Sequence, residues 1–165
     1  GDLLDLARLE GGGTTFRREP VDVRALFARV AMRHERETAA RGIALRFSID
    51  ENADTIAGDF DRLEQALQNL AANALRHTPD GGEVSLGARR VPQGVRVTVR
   101  DTGPGIPDEH LALIFDRFYK ADAARRASGG SGLGLSIVKT IVERHGGSIA
   151  VRNDGGAVFE ILLPA

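Results

Sequence analysis

A chain of 165 residues, 42% of them hydrophobic, is long enough to fold as one domain with its own core. A net charge of −1 gives no overall field to draw it to nucleic acid or an anionic membrane surface. With no cysteine, disulfides and thiolate metal sites are excluded, and no apolar run approaches the roughly 18 residues of a membrane span.

In chain order, no signal-peptide pattern opens the sequence. GDLLDLARLE reads as the middle of a helix, with Leu3, Leu6, Ala7 and Leu9 on one face, as expected for a piece of something longer. Gly11, Gly12 and Gly13 make a hinge-like break, and FRREPVD follows as a short extended piece. VRALFARVAMRHERETAARG has apolar residues at 23, 26, 27, 30 and 31, which predicts one helix stopping at Gly42. IALRFSI alternates, with Ile43, Leu45, Phe47 and Ile49 on one side, and reads as a half-buried strand. TIAG reads as a second short strand, and Asp59 as the cap of a long helix reaching about Arg76.

Pro79 and Gly81-Gly82 turn the chain into EVSLGARRV and GVRVTVRD, a hairpin closed around Pro92-Gln93-Gly94. DTGPGIP is a loop leading to a short helix over about 107–114. Residues 115–131 show no clean period. GLGLSIVKTIVERHGG is a helix with Gly146 past its end, and SIAVRN and AVFEILLP form a second hairpin turned at Asn153-Asp154-Gly155. The expected architecture is α+β: a two-layer α/β sandwich, with one mixed sheet of about five strands and helices on a single face.

Four stretches can carry chemistry. On the long helix, Leu63, Leu67, Leu70, Ala71 and Ala74 make a core face, and Gln65, Asn69, Asn73 and His77 make a polar stripe at steps of four. Solvated stripes favour Lys and Glu. Two asparagines one turn apart suggest a need for neutral carboxamide oxygens, which suit a Mg²⁺ ion already balanced by phosphates. In DTGPGIP, Asp101 can accept from an exocyclic amine while Gly103 and Gly105 leave bare backbone for a flat base, a pairing that suits adenine. Over 115–131, Phe115, Phe118 and Tyr119 precede Arg125 and Arg126, with Arg117 and Lys120 among them, as in a lid whose aromatic end anchors it and whose cations meet phosphates. Gly130, Gly132 and Gly134 lead into a helix, an arrangement that offers amides to an anion. That run fits neither a P-loop, since Val138 precedes Lys139, nor a dinucleotide loop, since Leu135 stands where the third glycine belongs.

The ordered set Asn-x-x-x-Asn, DTGPGI, IFDRFYK and GGSGLGLSIVK resembles the four boxes of the sensor histidine kinase ATP-binding domain, in the GHKL superfamily with its Bergerat fold. The resemblance covers about residues 20–165. It implies ATP and Mg²⁺ as ligands, with Asn73 on the metal, Asn69 supporting it and sharing the metal as an option, and His77 near phosphate. It implies that Asp101 accepts from adenine, that Gly103, Gly105 and Ile106 border the base, and that Phe115 and Phe118 anchor the lid. Arg117, Tyr119 and Lys120 would lie on the lid's ligand side, and Gly132, Leu133 and Gly134 would offer amides to phosphate. Chaperone, topoisomerase and mismatch-repair relatives carry a water-activating glutamate where this chain has Asn69. Asparagine cannot act as that base, so transfer to a protein group is expected over fast hydrolysis.

The family's phosphoacceptor histidine lies on a separate helical hairpin. Of the histidines here, His34 reads as a solvated helix residue and His110 and His145 as surface residues, so the acceptor is expected elsewhere. Residues 1–13 resemble the last turns of that hairpin and its hinge, and 14–165 the catalytic domain. The implied partners are the hairpin and a response regulator, without nucleic acid or membrane contact by this domain, in the cytoplasmic part of a bacterial sensor. The alternatives are a nucleotide-switched binding module that transfers nothing, or a serine kinase of anti-sigma-factor type.

Overall fold

A computed structural model describes residues 16–116 and 134–164. Seven strands, β1 to β7, and five helices, α1 to α5, alternate along these residues. Strands β2 (Ala44–Ile49), β4 (Glu83–Val91), β5 (Gly94–Asp101), β7 (Ala157–Pro164) and β6 (Ser148–Asn153) form one mixed sheet in that spatial order. Only β2 and β4 run parallel; the remaining neighbours are antiparallel. The alternation read from the sequence sets the inner face: Val84, Leu86, Ala88, Val95, Val97, Val99, Phe159, Ile161 and Leu163 are all buried.

Three helices cover that face. α3 (Phe60–His77) lies centrally, with α1 (Val23–Arg33) on the β2 side and α5 (Gly134–Arg144) on the β6 side. The predicted core face of α3 is the one buried, through Leu63, Leu67, Leu70, Ala71 and Ala74. Burying a leucine side chain contributes about 2 kcal/mol, so this stripe fixes the helix's rotation and aims the neighbouring polar stripe. The sheet's other face carries Arg46, Arg89, Arg96, Arg100 and Arg152, and ion pairs such as Arg46–Glu83 at 2.6 Å and Arg152–Glu160 at 2.8 Å lie across it.

TIAG is a strand as read from the sequence: β3 (Thr55–Gly58) pairs with β1 (Glu19–Asp22) in a separate two-stranded antiparallel sheet. Pro20 has no N–H to donate, which suits a strand confined to such an edge. The single helix predicted up to Gly42 is two, α1 and α2 (Glu35–Arg41), with a break at His34, whose φ is −103° and ψ 8°. No glycine or proline marks the break. It places the His34 ring against α3, where Nε2 meets Gln68 Oε1 at 2.9 Å. The helix after DTGPGIP is one turn, α4 (Asp108–Leu111), followed by turns.

Candidate functional site

The C-terminal half of α3 builds one wall. Asp59 caps the helix, accepting from Arg62 N–H at 3.2 Å, and the buried leucine face sets its orientation. Asn69 is half-buried and donates from Nδ2 to the Gly134 carbonyl at 3.2 Å, joining α3 to the start of α5. Asn73, one turn on, is 5% exposed, and its Oδ1 accepts from the Arg76 guanidinium at 3.2 Å. A cation therefore already faces the oxygen that the sequence nominates for a metal. His77 is exposed, and its Nδ1 lies 2.8 Å from the Asn73 carbonyl. A carbonyl can only accept, so Nδ1 carries a proton. Gln65, the first residue of the stripe, is half-buried one turn before Asn69.

The second wall is the end of β5 and the loop after it. Asp101 is 2% exposed, and its Oδ1 accepts from Gly103 N–H at 2.9 Å and Ala157 N–H at 3.2 Å. Both bonds fall on one oxygen. Oδ2 takes neither of them. A carboxylate held this way has its plane fixed by the backbone around it.

The glycines of the loop are needed by the protein's own atoms. A Cβ on Gly103 would lie 2.3 Å from the His77 carbonyl oxygen, so the loop and the end of α3 touch through bare backbone. Gly105 has φ of 81°, which side chains of L-residues rarely adopt, and a Cβ there would lie 2.7 Å from Asn153 Oδ1. Ile106 is half-buried and packs against the core edge, giving the loop an apolar footing. Phe115 stands edge-on to Phe159, with ring centroids 6.0 Å apart.

Asn69, Asn73, His77, Asp101, Gly103, Gly105, Ile106 and Gly134 are thus distributed over α3, the loop after β5 and the start of α5. Arg117, Phe118, Tyr119, Lys120, Arg125, Arg126, Gly130, Gly132 and Leu133 lie outside the described residues, as do residues 1–13. Among the described residues no group of three His, Asp or Glu side chains could hold a metal. A cation at Asn73 would need most of its ligands from a bound phosphate chain.

Sequence reasoning missed two features. Asn153, read only as a turn residue, bonds both backbone groups of Ile106. His145, expected on the surface, is 1% exposed. Its Nδ1 donates to the Ile141 carbonyl at 2.9 Å, and its Nε2 accepts from Asp59 N–H at 3.0 Å. Burial is the chief cause holding its pKa below the ordinary histidine value, with Arg18 and Arg144 adding to it and Asp59 opposing. A histidine just past a helix end reads as solvated. The tertiary contact with residue 59 leaves no local mark in the sequence.

A two-layer sandwich with an asparagine-bearing helix facing an aspartate-glycine loop is the nucleotide site of one ATPase class. Residues 58–165 match the family described as histidine kinase-, DNA gyrase B- and HSP90-like ATPase, and the chain belongs to that family. Within it, the chain is 39% identical over 99% of its length to the signal transduction histidine-protein kinase BaeS of Escherichia coli. It is 40% identical over 99% of its length to the sensor protein DivL of Caulobacter vibrioides. It spans 35% and 21% of those two relatives. The nucleotide-free catalytic domain of histidine kinase ThkA superposes with a TM-score of 0.80 at 31% identity, covering 92% of this chain and 96% of that one. Full-length ShkA in complex with AMPPNP gives 0.85 at 33% identity, covering 99% of this chain and 35% of that one. The fold and the family are those of the ATP-binding catalytic domain of sensor histidine kinases.

Proposed function

We propose that this chain binds ATP with Mg²⁺ and passes the γ-phosphoryl group to a histidine on a dimerisation hairpin, for onward transfer to a response regulator. The observation that supports this reading is Asp101, buried, with Oδ1 fixed by two backbone N–H groups beside the glycine loop. An acceptor so placed suits the amino group of adenine and opposes the carbonyl that guanine offers in its place. Asn73 would be the protein ligand of Mg²⁺, with Asn69 beside it, and the ion would supply charge neutralisation at the phosphates. His77, with Nδ1 tied to the helix, offers a fixed polar group for the phosphate region.

In the transfer, the bond from the γ-phosphorus to the bridging oxygen breaks, a bond to the imidazole nitrogen forms, and ADP leaves. The chain's own part is orientation, since phosphoryl transfer is chiefly positioning and charge stabilisation. Asn69 gives water no general base, which favours a protein acceptor over hydrolysis. Residues 1–13 are the end of the hairpin and its hinge in this reading, and residues 14–165 are the catalytic domain. A bacterial sensor's cytoplasmic part is the setting it suits; among the described residues no helix is long and apolar enough to cross a membrane.

Calorimetric titration with Mg-ATP tests the binding half. Asp101→Asn should cost about 1.5–3 kcal/mol, as for a hydrogen bond to a charged group. Equal affinity in that variant, or GTP competing as well as ATP, would remove the adenine reading. For the transfer half, γ-labelled ATP, the chain and its cognate hairpin should give acid-labile, base-stable phosphate on the hairpin. Neither the chain alone nor Asn73→Ala with the hairpin should give it. Nucleotide binding with no transfer at any hairpin concentration would leave a switch module.

A further inference from the structure

The turn between β6 and β7 is far from the site in sequence, yet two of its residues bind the adenine wall. Asn153 Oδ1 accepts from Ile106 N–H at 2.8 Å, and Asn153 Nδ2 donates to the Ile106 carbonyl at 2.7 Å. This is the pair of bonds that a strand neighbour would make, supplied by one side chain. The same oxygen lies where a Cβ on Gly105 would fall, so the carboxamide fills the space that glycine leaves. Four residues on, Ala157 N–H donates to Asp101 Oδ1 at 3.2 Å. A Cβ on Gly156 would lie 2.0 Å from the Asp101 carbonyl oxygen, so the turn sits directly on the end of β5.

One turn therefore holds the base acceptor from one side and the glycine loop from the other. The loop has few other ties. Besides the two Ile106 bonds to Asn153, the bond shown for the backbone of residues 103–106 among the described residues is Gly103 N–H to Asp101. With Gly105 at φ of 81°, the loop has backbone freedom that something must remove before a base can meet a fixed surface.

We propose that Asn153 is a positioning residue for nucleotide binding: its carboxamide clamps Ile106 and so fixes the adenine-binding loop against Asp101. The inference rests on the adenine reading of Asp101. Its consequence is selective. Loosening the loop removes the preorganised surface for the base and leaves the phosphate region on α3 untouched. Affinity for ATP then falls while the weaker affinity for GTP, which gains little from that surface, changes less.

The test uses the whole chain with ATP and GTP as probes, in wild type, Asn153→Ala, Asn153→Ser and Asp101→Asn. Asn153→Ala should weaken ATP binding by about five- to tenfold, the range for one or two neutral hydrogen bonds near solvent. The ATP-to-GTP preference should narrow by a similar factor, and the Ile106 amide should exchange hydrogen faster. A residue serving only turn stability would lower Tm and leave that preference alone. Serine reaches one Ile106 group at most, so Asn153→Ser should lose the preference too, and it carries the test if alanine prevents folding. Wild-type preference in both Asn153 variants, with Asp101→Asn impaired, overturns the clamp and leaves the adenine site standing. Wild-type preference in Asp101→Asn overturns the adenine site and the clamp with it.

Discussion

The two ends of α3 are both polar, yet they are built in opposite ways. At the N-terminal end, Asp59 caps the helix, accepts from Arg17 N–H at 3.0 Å and gives its own N–H to His145. Phe16 closes over that imidazole edge-on, with centroids 4.5 Å apart, and Arg18 and Arg144 each lie 5.6 Å from the Phe16 centroid. Each polar group there is met by the protein itself. At the C-terminal end, Asn73 Oδ1 meets the Arg76 guanidinium, His77 Nδ1 meets the carbonyl of its own helix, and Asp101 Oδ1 takes two backbone N–H groups, so each is fixed through one atom. The contrast separates a joint from a site. A joint spends all of its hydrogen-bonding capacity internally, whereas a site holds part of it in reserve at a fixed angle.

Replacing the two histidines puts that contrast to the strongest test. His145→Ala leaves a cavity and an unpaired Asp59 N–H, and should cost about 3 kcal/mol of unfolding free energy. Urea denaturation measures it, and a loss below about 1 kcal/mol would mean that the joint is not closed. Asp59→Ala removes the cap and the acceptor for Arg17, for an expected loss of about 2 kcal/mol by the same measurement.

The pH dependence is next in size. His145 has a native pKa below its unfolded one, so below the ordinary value of about 6.5 the unfolded chain binds more protons. Its contribution is whole at neutral pH and is lost as pH falls through that value, by at most about 1.4 kcal/mol per pH unit. Arg18, Arg144 and Asp59 are the charged groups that act on the ring. His145→Gln should flatten the slope there; an unchanged slope would assign it to the other histidines. The smallest effect belongs to the open end. His77→Ala should change stability by no more than about 0.5 kcal/mol, because the ring is exposed and makes one bond to its own helix. A larger loss would make that end a second joint.

Much of this was legible beforehand because it repeats at short range. The alternation of Val95, Val97 and Val99 and the leucine stripe of α3 each announce their own buried face. Asn69, Asn73 and Asp101 were singled out by spacing and by the order of the four boxes, and the structure puts them on α3 and at the end of β5. What failed was tertiary. The break at His34 answers to Gln68, the burial of His145 to Asp59, and the role of Asn153 to Ile106. Each partner lies at least 34 residues away, beyond any local pattern. The same holds for β3, whose strand character is local but whose choice of β1 over the main sheet is not.

The Arg17–Asp59 bond also has a mechanical meaning. The chain enters the domain on the end of α3 remote from Asn73 and His77, and it is fastened there to the helix cap itself. With 18 residues at 1.5 Å each, α3 is a lever about 27 Å long with its handle at Asp59. A tilt of about 5° applied at the handle would carry the far tip through about 2 Å, the scale that separates a productive reacting geometry from an idle one. Traction applied at Asp59 would thus act on a rigid rod that ends at Asn73 and His77, and not on a loop that could absorb it.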